Sequence, residues 1–205
     1  CFHYHPISPL NNMNNATCIT SMAIDSQENY WVGTDGCGVF TTNGMHLATA
    51  RPINNGLHSL LVQDVKIDKH GTVWAGTYGG GVQWLENGQW TSRGLEGIGQ
   101  EMVMTMCYNA DEDKLLIGTN GHGIICINVK DKTFNRLTFP FAYNQWVSSL
   151  LQDSQETLWV GSSTGVFFYN ASSGKHEEIT LNGNRISNSS AIQQDGDDIL
   201  IATDE

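Results

Sequence analysis

Few of the residues that usually carry chemistry are spaced to do it in this chain. His3 and His5 lie two apart, so a strand would put both on one face as a metal pair, but no third ligand accompanies them. Gly79-Gly80-Gly81 is glycine-rich, yet no Lys-Ser/Thr follows, so a phosphate-binding loop is unsupported. Ser, His and Asp all occur without anything that resembles a nucleophile elbow. The five cysteines (Cys1, Cys18, Cys37, Cys107 and Cys126) are odd in number and form no Cys-x-x-Cys, which indicates neither zinc nor a redox motif. What remains is binding chemistry. Asp35, His58, Tyr78, Gln100, Glu101, Asn120, His122, Tyr143, Asn144, Gln145 and Trp146 are aromatic, amide and acidic side chains in turn-like stretches. Aromatic rings stack on the apolar face of a sugar, and amides and carboxylates take up its hydroxyls. Such a set works only if the fold brings it to one face.

The fold is announced by repetition. Val73-Trp74-Ala75-Gly76-Thr77-Tyr78-Gly79-Gly80-Gly81-Val82 is echoed by Tyr30-Trp31-Val32-Gly33-Thr34-Asp35-Gly36-Cys37-Gly38-Val39. Further echoes are Leu115 to Ile124, Leu158 to Val166 and the stretch from Ile199. The aromatic or leucine position falls at 31, 74, 116, 159 and 200, in steps of 43, 42, 43 and 41. A period near 42 with several strands in each repeat is the mark of a β-propeller blade.

One repeat shows why. Val62-Gln63-Asp64-Val65-Lys66-Ile67 alternates apolar and polar residues, as a half-buried strand does. Asp68-Lys69-His70-Gly71 is a turn whose Asp can cap its own backbone. Thr72 to Thr77 is a second strand, Val82 to Leu85 a third, and Glu86-Asn87-Gly88 the hairpin to a fourth at Gln89 to Ser92. Four antiparallel strands make a propeller blade. Other first strands are expected at Ile19–Ile24, Val103–Tyr108 and Val147–Gln152, and other fourth strands at Met45–Thr49, Thr133–Thr138 and Lys175–Leu181.

The expectation is therefore an all-β chain, a β-propeller of four-stranded antiparallel blades. Residues 1–18 read as the outer strand of a preceding blade and its linker. Residues 19–61, 62–102, 103–146 and 147–186 read as four blades, and 187–205 as part of another. A stop one residue before an expected Gly suggests a fragment of a larger ring, of seven blades, or open ends that meet in a homodimer. In a propeller the turns between second and third strands share a face with the inter-blade linkers, and those two regions hold all the candidate residues. They equally suit exposed variable loops, and Tyr143 and Trp146 equally suit a cover over the next first strand.

The repeated motif itself reads as structural. A flat Trp at 31, 74 and 159 fits between blades, the Gly at 33, 76, 118 and 161 leaves room for a neighbouring backbone, and Thr or Ser at 34, 77, 119 and 162 satisfies backbone where the strand turns.

Bulk composition narrows the partners. The net charge is −11, with only 10 Lys and Arg, which argues against nucleic acid and against an anionic membrane surface. No run of 18 apolar residues exists to span a bilayer, so any membrane attachment is expected through other segments. No cofactor is implied.

The recurring "Asp-x-x-Gly, x-Trp-x-Gly-Thr-x-x-Gly-Gly-Val", with Asn54-Asn55-Gly56-Leu57 before the next first strand, resembles the two-component regulator propeller repeat. Leu116, Thr164 and Ala202 depart from that pattern. The resemblance implies a periplasmic sensor region of a Bacteroides-type hybrid two-component system, recognising glycan fragments and signalling across the inner membrane to a histidine kinase that lies elsewhere. Two other classes stay open: an enzyme on a propeller scaffold, such as a lyase or glycosidase, and a general protein-interaction propeller. A glycosidase needs two carboxylates in one cleft, and the candidate face offers Asp35 and Glu101, from different blades.

Overall fold

The computed structural model describes residues 18–43, 50–137, 139, 146–186 and 188–203. The candidates Tyr143, Asn144 and Gln145, the His3/His5 pair and the expected outer strand at Phe2–Ser8 lie outside them. The chain divides into two compact units, Cys1–Val103 and Met104–Glu205.

The first unit holds two sheets. One is built from β1 (Ile19–Ile24), β2 (Tyr30–Thr34), β3 (Gly38–Thr41) and β4 (Arg51–Pro52), in that order. The other is built from β5 (Val62–Ile67), β6 (Val73–Thr77), β7 (Gly81–Glu86) and β8 (Gln89–Thr91). The second unit carries β9 (Val103–Asn109), which begins at the boundary, with β10 (Lys114–Thr119), β11 (Ile124–Asn128) and β12 (Phe134–Leu137). Next come β13 (Val147–Gln152), β14 (Thr157–Ser162), β15 (Val166–Asn170), β16 (His176–Leu181) and β17 (Asn184–Arg185), and then the pair β18 (Ser189–Asp195) and β19 (Asp198–Thr203). Neighbouring strands pair antiparallel, as β1–β2, β5–β6, β13–β14 and β18–β19 show, and among the described residues the helical content is a 3-10 turn at Glu96–Ile98. These are propeller blades.

The sheets agree with the pattern of the repeats and add two strands to it. In the first sheet the partner of β3 is Arg51–Pro52, paired as Thr41 with Arg51 and Phe40 with Pro52, whereas the stretch expected there, Met45–Thr49, lies outside the described residues. Proline has no N–H for a ladder, so it is tolerated in this outermost strand. The fourth sheet has a fifth strand: Asn182 and Gly183 both take positive φ, 52° and 80°, which turns the chain back so that β17 pairs with β16. The same turn chemistry at Asn87 and Gly88 closes the β7–β8 hairpin.

The core of the first unit shows how blades stack. Val62, Val65, Val73, Ala75 and Trp90 of the second sheet pack with Val39, Ala23 and Trp31 of the first. In the second unit Leu116, Ile124 and Cys126 pack with Val147, Leu150, Leu158 and Val160, and Phe139 meets Tyr169 edge-on at 5.2 Å. Burial pushes the Cys126 thiol up from its ordinary pKa, as expected of a buried free cysteine; Cys107 is half-buried.

Each motif residue has a measurable task. The hydroxyls of Thr34, Thr77, Thr119 and Ser162 donate to the carbonyls of Gly38, Gly81, Gly123 and Gly165, at 2.7, 3.1, 2.8 and 2.9 Å, and so close each turn between second and third strands. The motif glycine gives room to side chains rather than to backbone. A Cβ on Gly33 would lie 2.9 Å from Val62 Cγ1, and one on Gly161 would lie 2.2 Å from Ser149 Oγ and 2.6 Å from Ser189 Oγ. Val62 and Ser189 open the next blade, so this glycine sets the spacing of blades. Each of four sheets carries a bulge at the start of its first strand, between Ile19/Ser21, Val62/Asp64, Val147/Ser149 and Ser189/Ala191. Beside it the Thr20 hydroxyl donates to the Val62 carbonyl of the next blade at 2.7 Å, and Ser148 does the same to Ser189.

Candidate binding face

Three turns between second and third strands are stitched to the linker that leads into the next blade. Asp35 bridges Leu61, Tyr78 bridges Met102, and Asn120 bridges Trp146. The N–H groups of Gly36 and Gly38 donate to Leu60 and that of Gly81 to Glu101 in the next linker, while those of Tyr78 and Ser163 donate to Leu61 and Trp146 in the linker before their own blade, all at 2.8 to 3.1 Å. Turns and linkers therefore do meet, by backbone pairing repeated from blade to blade. The candidates fall into one group in each unit.

In the first unit Asp35, His58 and Tyr78 are exposed. Fully buried Gln83 fixes the linker that carries His58: its amide donates to the Gly56 carbonyl at 2.9 Å and its oxygen accepts the His58 N–H at 2.7 Å. The Ser59 hydroxyl donates to the Tyr78 carbonyl at 3.1 Å. Tyr78 stands 37% exposed with Leu60, Leu61 and Met102, also exposed, along the same seam. Glu101 is different. It is only 7% exposed, so its carboxylate is withdrawn from the surface that Asp35 occupies, and the two do not form an open carboxylate pair.

In the second unit Asn120 and Trp146 are brought together by their bridge, and exposed His122 follows in the same turn, its N–H donating to the Thr119 hydroxyl at 3.2 Å. Trp146 is 47% exposed. It forms one wall of a cavity of about 180 Å³ with Ser148, Ser163, Asn188, Ser189 and Ser190. Three of these hydroxyls are engaged: Ser148 donates to the Ser189 carbonyl, Ser189 faces Ser149 Oγ at 3.2 Å, and Ser190 donates to Ala202 at 3.4 Å. The Ser163 hydroxyl, the Asn188 amide and the Trp146 indole N–H hold no hydrogen bond among the described residues. They are the groups a ligand would meet.

Residue type alone marks Trp146 as a candidate and passes over Ser163 and Asn188. The signal existed: Ser163 occupies in the fourth repeat the place of Asp35, Tyr78 and Asn120, and Asn188 occupies the place of Leu61, Met102 and Trp146. One correction to the sequence reading concerns Gly161-Ser162-Ser163-Thr164-Gly165, which does have the letters of a nucleophile elbow though not its setting. Here it joins β14 to β15 as a hairpin, not a strand to a helix, and among the described residues neither histidine nor carboxylate lines the cavity. Among the described residues no cluster of three His, Cys, Asp or Glu could hold a metal, and no helix is long and apolar enough to cross a membrane.

The two component regulator propeller family matches at residues 142–164, the segment that contains Trp146 and Ser163. Residues 142–164 carry a two component regulator propeller repeat. No curated protein matches. The extracellular domain of the putative hybrid two component system BT3049 from B. thetaiotaomicron is similar in structure, with a TM-score of 0.74 and 23% identity over 95% of this chain and 26% of that one. That of BT4673 has a TM-score of 0.74 and 18% identity over 90% of this chain and 26% of the other. Virginiamycin B lyase from Staphylococcus aureus has a TM-score of 0.72 and 14% identity over 95% of this chain and 65% of the enzyme. These likenesses establish the propeller fold. The chain spans about a quarter of the length of the two Bacteroides domains.

Proposed function

We propose that this chain is the ligand-sensing propeller of an extracytoplasmic signalling receptor, that it recognises oligosaccharide fragments at Trp146, and that the receptor passes the signal to a histidine kinase. The observation that carries the reading is the half-exposed indole of Trp146 beside the unengaged Ser163 hydroxyl and Asn188 amide. An aromatic plate with a few fixed polar groups around it is the usual economy of a small-molecule site. Its place inside the two component regulator propeller repeat and the likeness to extracellular receptor domains support the signalling role. On this reading the receptor sits in the inner membrane of a Bacteroides-type bacterium with this propeller in the periplasm, and the spanning and kinase segments are elsewhere in the receptor. Among the described residues the lining offers hydroxyls, an amide and an indole, the groups of a binding site.

Calorimetric titration with a panel of plant and host oligosaccharides tests it. At least one oligosaccharide should bind the wild type, Trp146→Ala should weaken that binding at least ten-fold with the same melting curve, and no sugar should be consumed. Binding unaffected by Trp146→Ala, or turnover of a bound sugar, would overturn the reading.

A further inference from the structure

The Trp146 cavity has a chemical bias that goes beyond binding a sugar. Among the described residues its walls are one Trp, four Ser and one Asn, none of which carries a charge. The chain as a whole is strongly acidic, at −11, so the background potential repels anions. An anion held at close quarters needs a cation or several aimed N–H donors to replace its water, and a charge buried without them is strongly disfavoured. Here the unengaged donors are the Trp146 indole N–H, the Ser163 hydroxyl and the Asn188 amide. The amide and hydroxyl also accept, and suit hydroxyl groups that do both. Asn188 is held at φ 52°, a backbone setting that fixes where its side chain leaves the chain. The volume, about 180 Å³, equals about six waters at about 30 Å³ each, the scale of one sugar ring and not of a chain of them.

We infer that the Trp146 site selects a single neutral sugar ring, with its apolar face on the indole and its hydroxyls on Ser163 and Asn188, and rejects the same ring carrying a carboxylate or sulfate. The selection rests on the sugar-binding reading above. It comes from an uncharged lining in an acidic protein, and adding a cation to that lining reverses it.

Matched pairs of probes test the selection and separate it from the parent reading. Cellobiose, maltose, lactose and mannobiose are each titrated beside the counterpart whose non-reducing hexose is oxidised to the uronate, at neutral pH and low salt. Wild type, Trp146→Ala and Ser163→Lys are compared, with a melting curve for each variant. At least one neutral disaccharide should bind at least ten-fold more tightly than its uronate, Trp146→Ala should remove that binding, and Ser163→Lys should narrow or invert the ratio. A uronate that binds the wild type as tightly as its neutral partner, and loses affinity in Trp146→Ala, would overturn the selection and leave the sugar site standing. No binding by any probe, or binding indifferent to Trp146, would overturn both. If Ser163→Lys proves unstable, raising the salt supplies the second test. Screening should leave the neutral affinity unchanged and recover less than the ten-fold gap, because the gap arises mainly from the local lining; full recovery would assign it to the overall charge and overturn the inference.

Discussion

The indole N–H of Trp74 donates to Asp68 Oδ2 at 2.9 Å, inside the second sheet, where both residues are buried. The other oxygen of Asp68 accepts the backbone N–H groups of His70 and Thr72, both at 2.9 Å. One carboxylate thus closes the turn from first to second strand and anchors the Trp of the repeat. Asp25 does so with Trp31 at 3.1 Å and Asp153 with Trp159 at 2.8 Å. The third repeat lacks both partners together. It has Asn109 and Leu116, and the Asn109 amide donates instead to Gln152 Oε1 at 2.8 Å.

Trp74→Ala should lower stability by about 3–5 kcal/mol, the usual cost of emptying a buried aromatic site. Trp74→Phe keeps most of the volume but leaves Asp68 Oδ2 without its donor, and should cost about 1–3 kcal/mol. Denaturant midpoints for the two variants check the order. A midpoint for Trp74→Ala equal to that of the wild type would mean that the latch contributes nothing.

Gly161→Ala isolates the spacing of blades. The backbone conformation there suits alanine, so the effect comes from the added Cβ against Ser149 Oγ and Ser189 Oγ. Overpacking of this kind costs about 1–3 kcal/mol. Because Ser189 also lines the Trp146 cavity, Gly161→Ala should weaken oligosaccharide binding as well, which calorimetry would show. Added stability in this variant would refute the packing argument.

Asp25 gives the latch a pH dependence. Partial burial pushes its carboxyl up, but hydrogen bonds from the Asn29 amide, the Trp31 indole and the backbone of Asn29 and Gln27 outweigh it and hold the carboxyl below its ordinary value. A carboxyl lowered in the folded state contributes stability that is full above the unfolded value, about 3.9, and is lost as pH falls through the folded value. Asp25→Ala should therefore be most damaging at neutral pH, and the gap from wild type should shrink below about pH 4. Chemical denaturation at a series of pH values measures the gap; one that widens on acidification would reverse the sign.

Much of the fold was legible because a repeat states each instruction several times. First strands, the Asn87-Gly88 hairpin and the hydroxyl that closes each turn all follow from local rules that recur at a fixed period. Met45–Thr49 reads as an outer strand as well as Arg51–Pro52 does, since an edge strand pairs on one side only and its sequence is weakly constrained. The Asp–Trp hydrogen bond was hidden because six residues separate the partners across a turn, and only the three-dimensional path brings them together. The site was half legible. Position in the repeat pointed to Trp146, Asn120 and His122, but residue type drew attention to Glu101, whose carboxylate turns inward, and away from Ser163, a small residue that matters because it is unengaged.

Trp146 is the proposed contact of the ligand, and indole N–H resonances report on it directly. The chain has six tryptophans, and Trp146→Phe assigns its own signal by loss of one peak. On titration with an oligosaccharide that binds, the Trp146 indole signal should shift progressively to saturation while those of the latched Trp31, Trp74 and Trp159 stay fixed. Saturable binding that leaves the Trp146 signal in place would contradict the account.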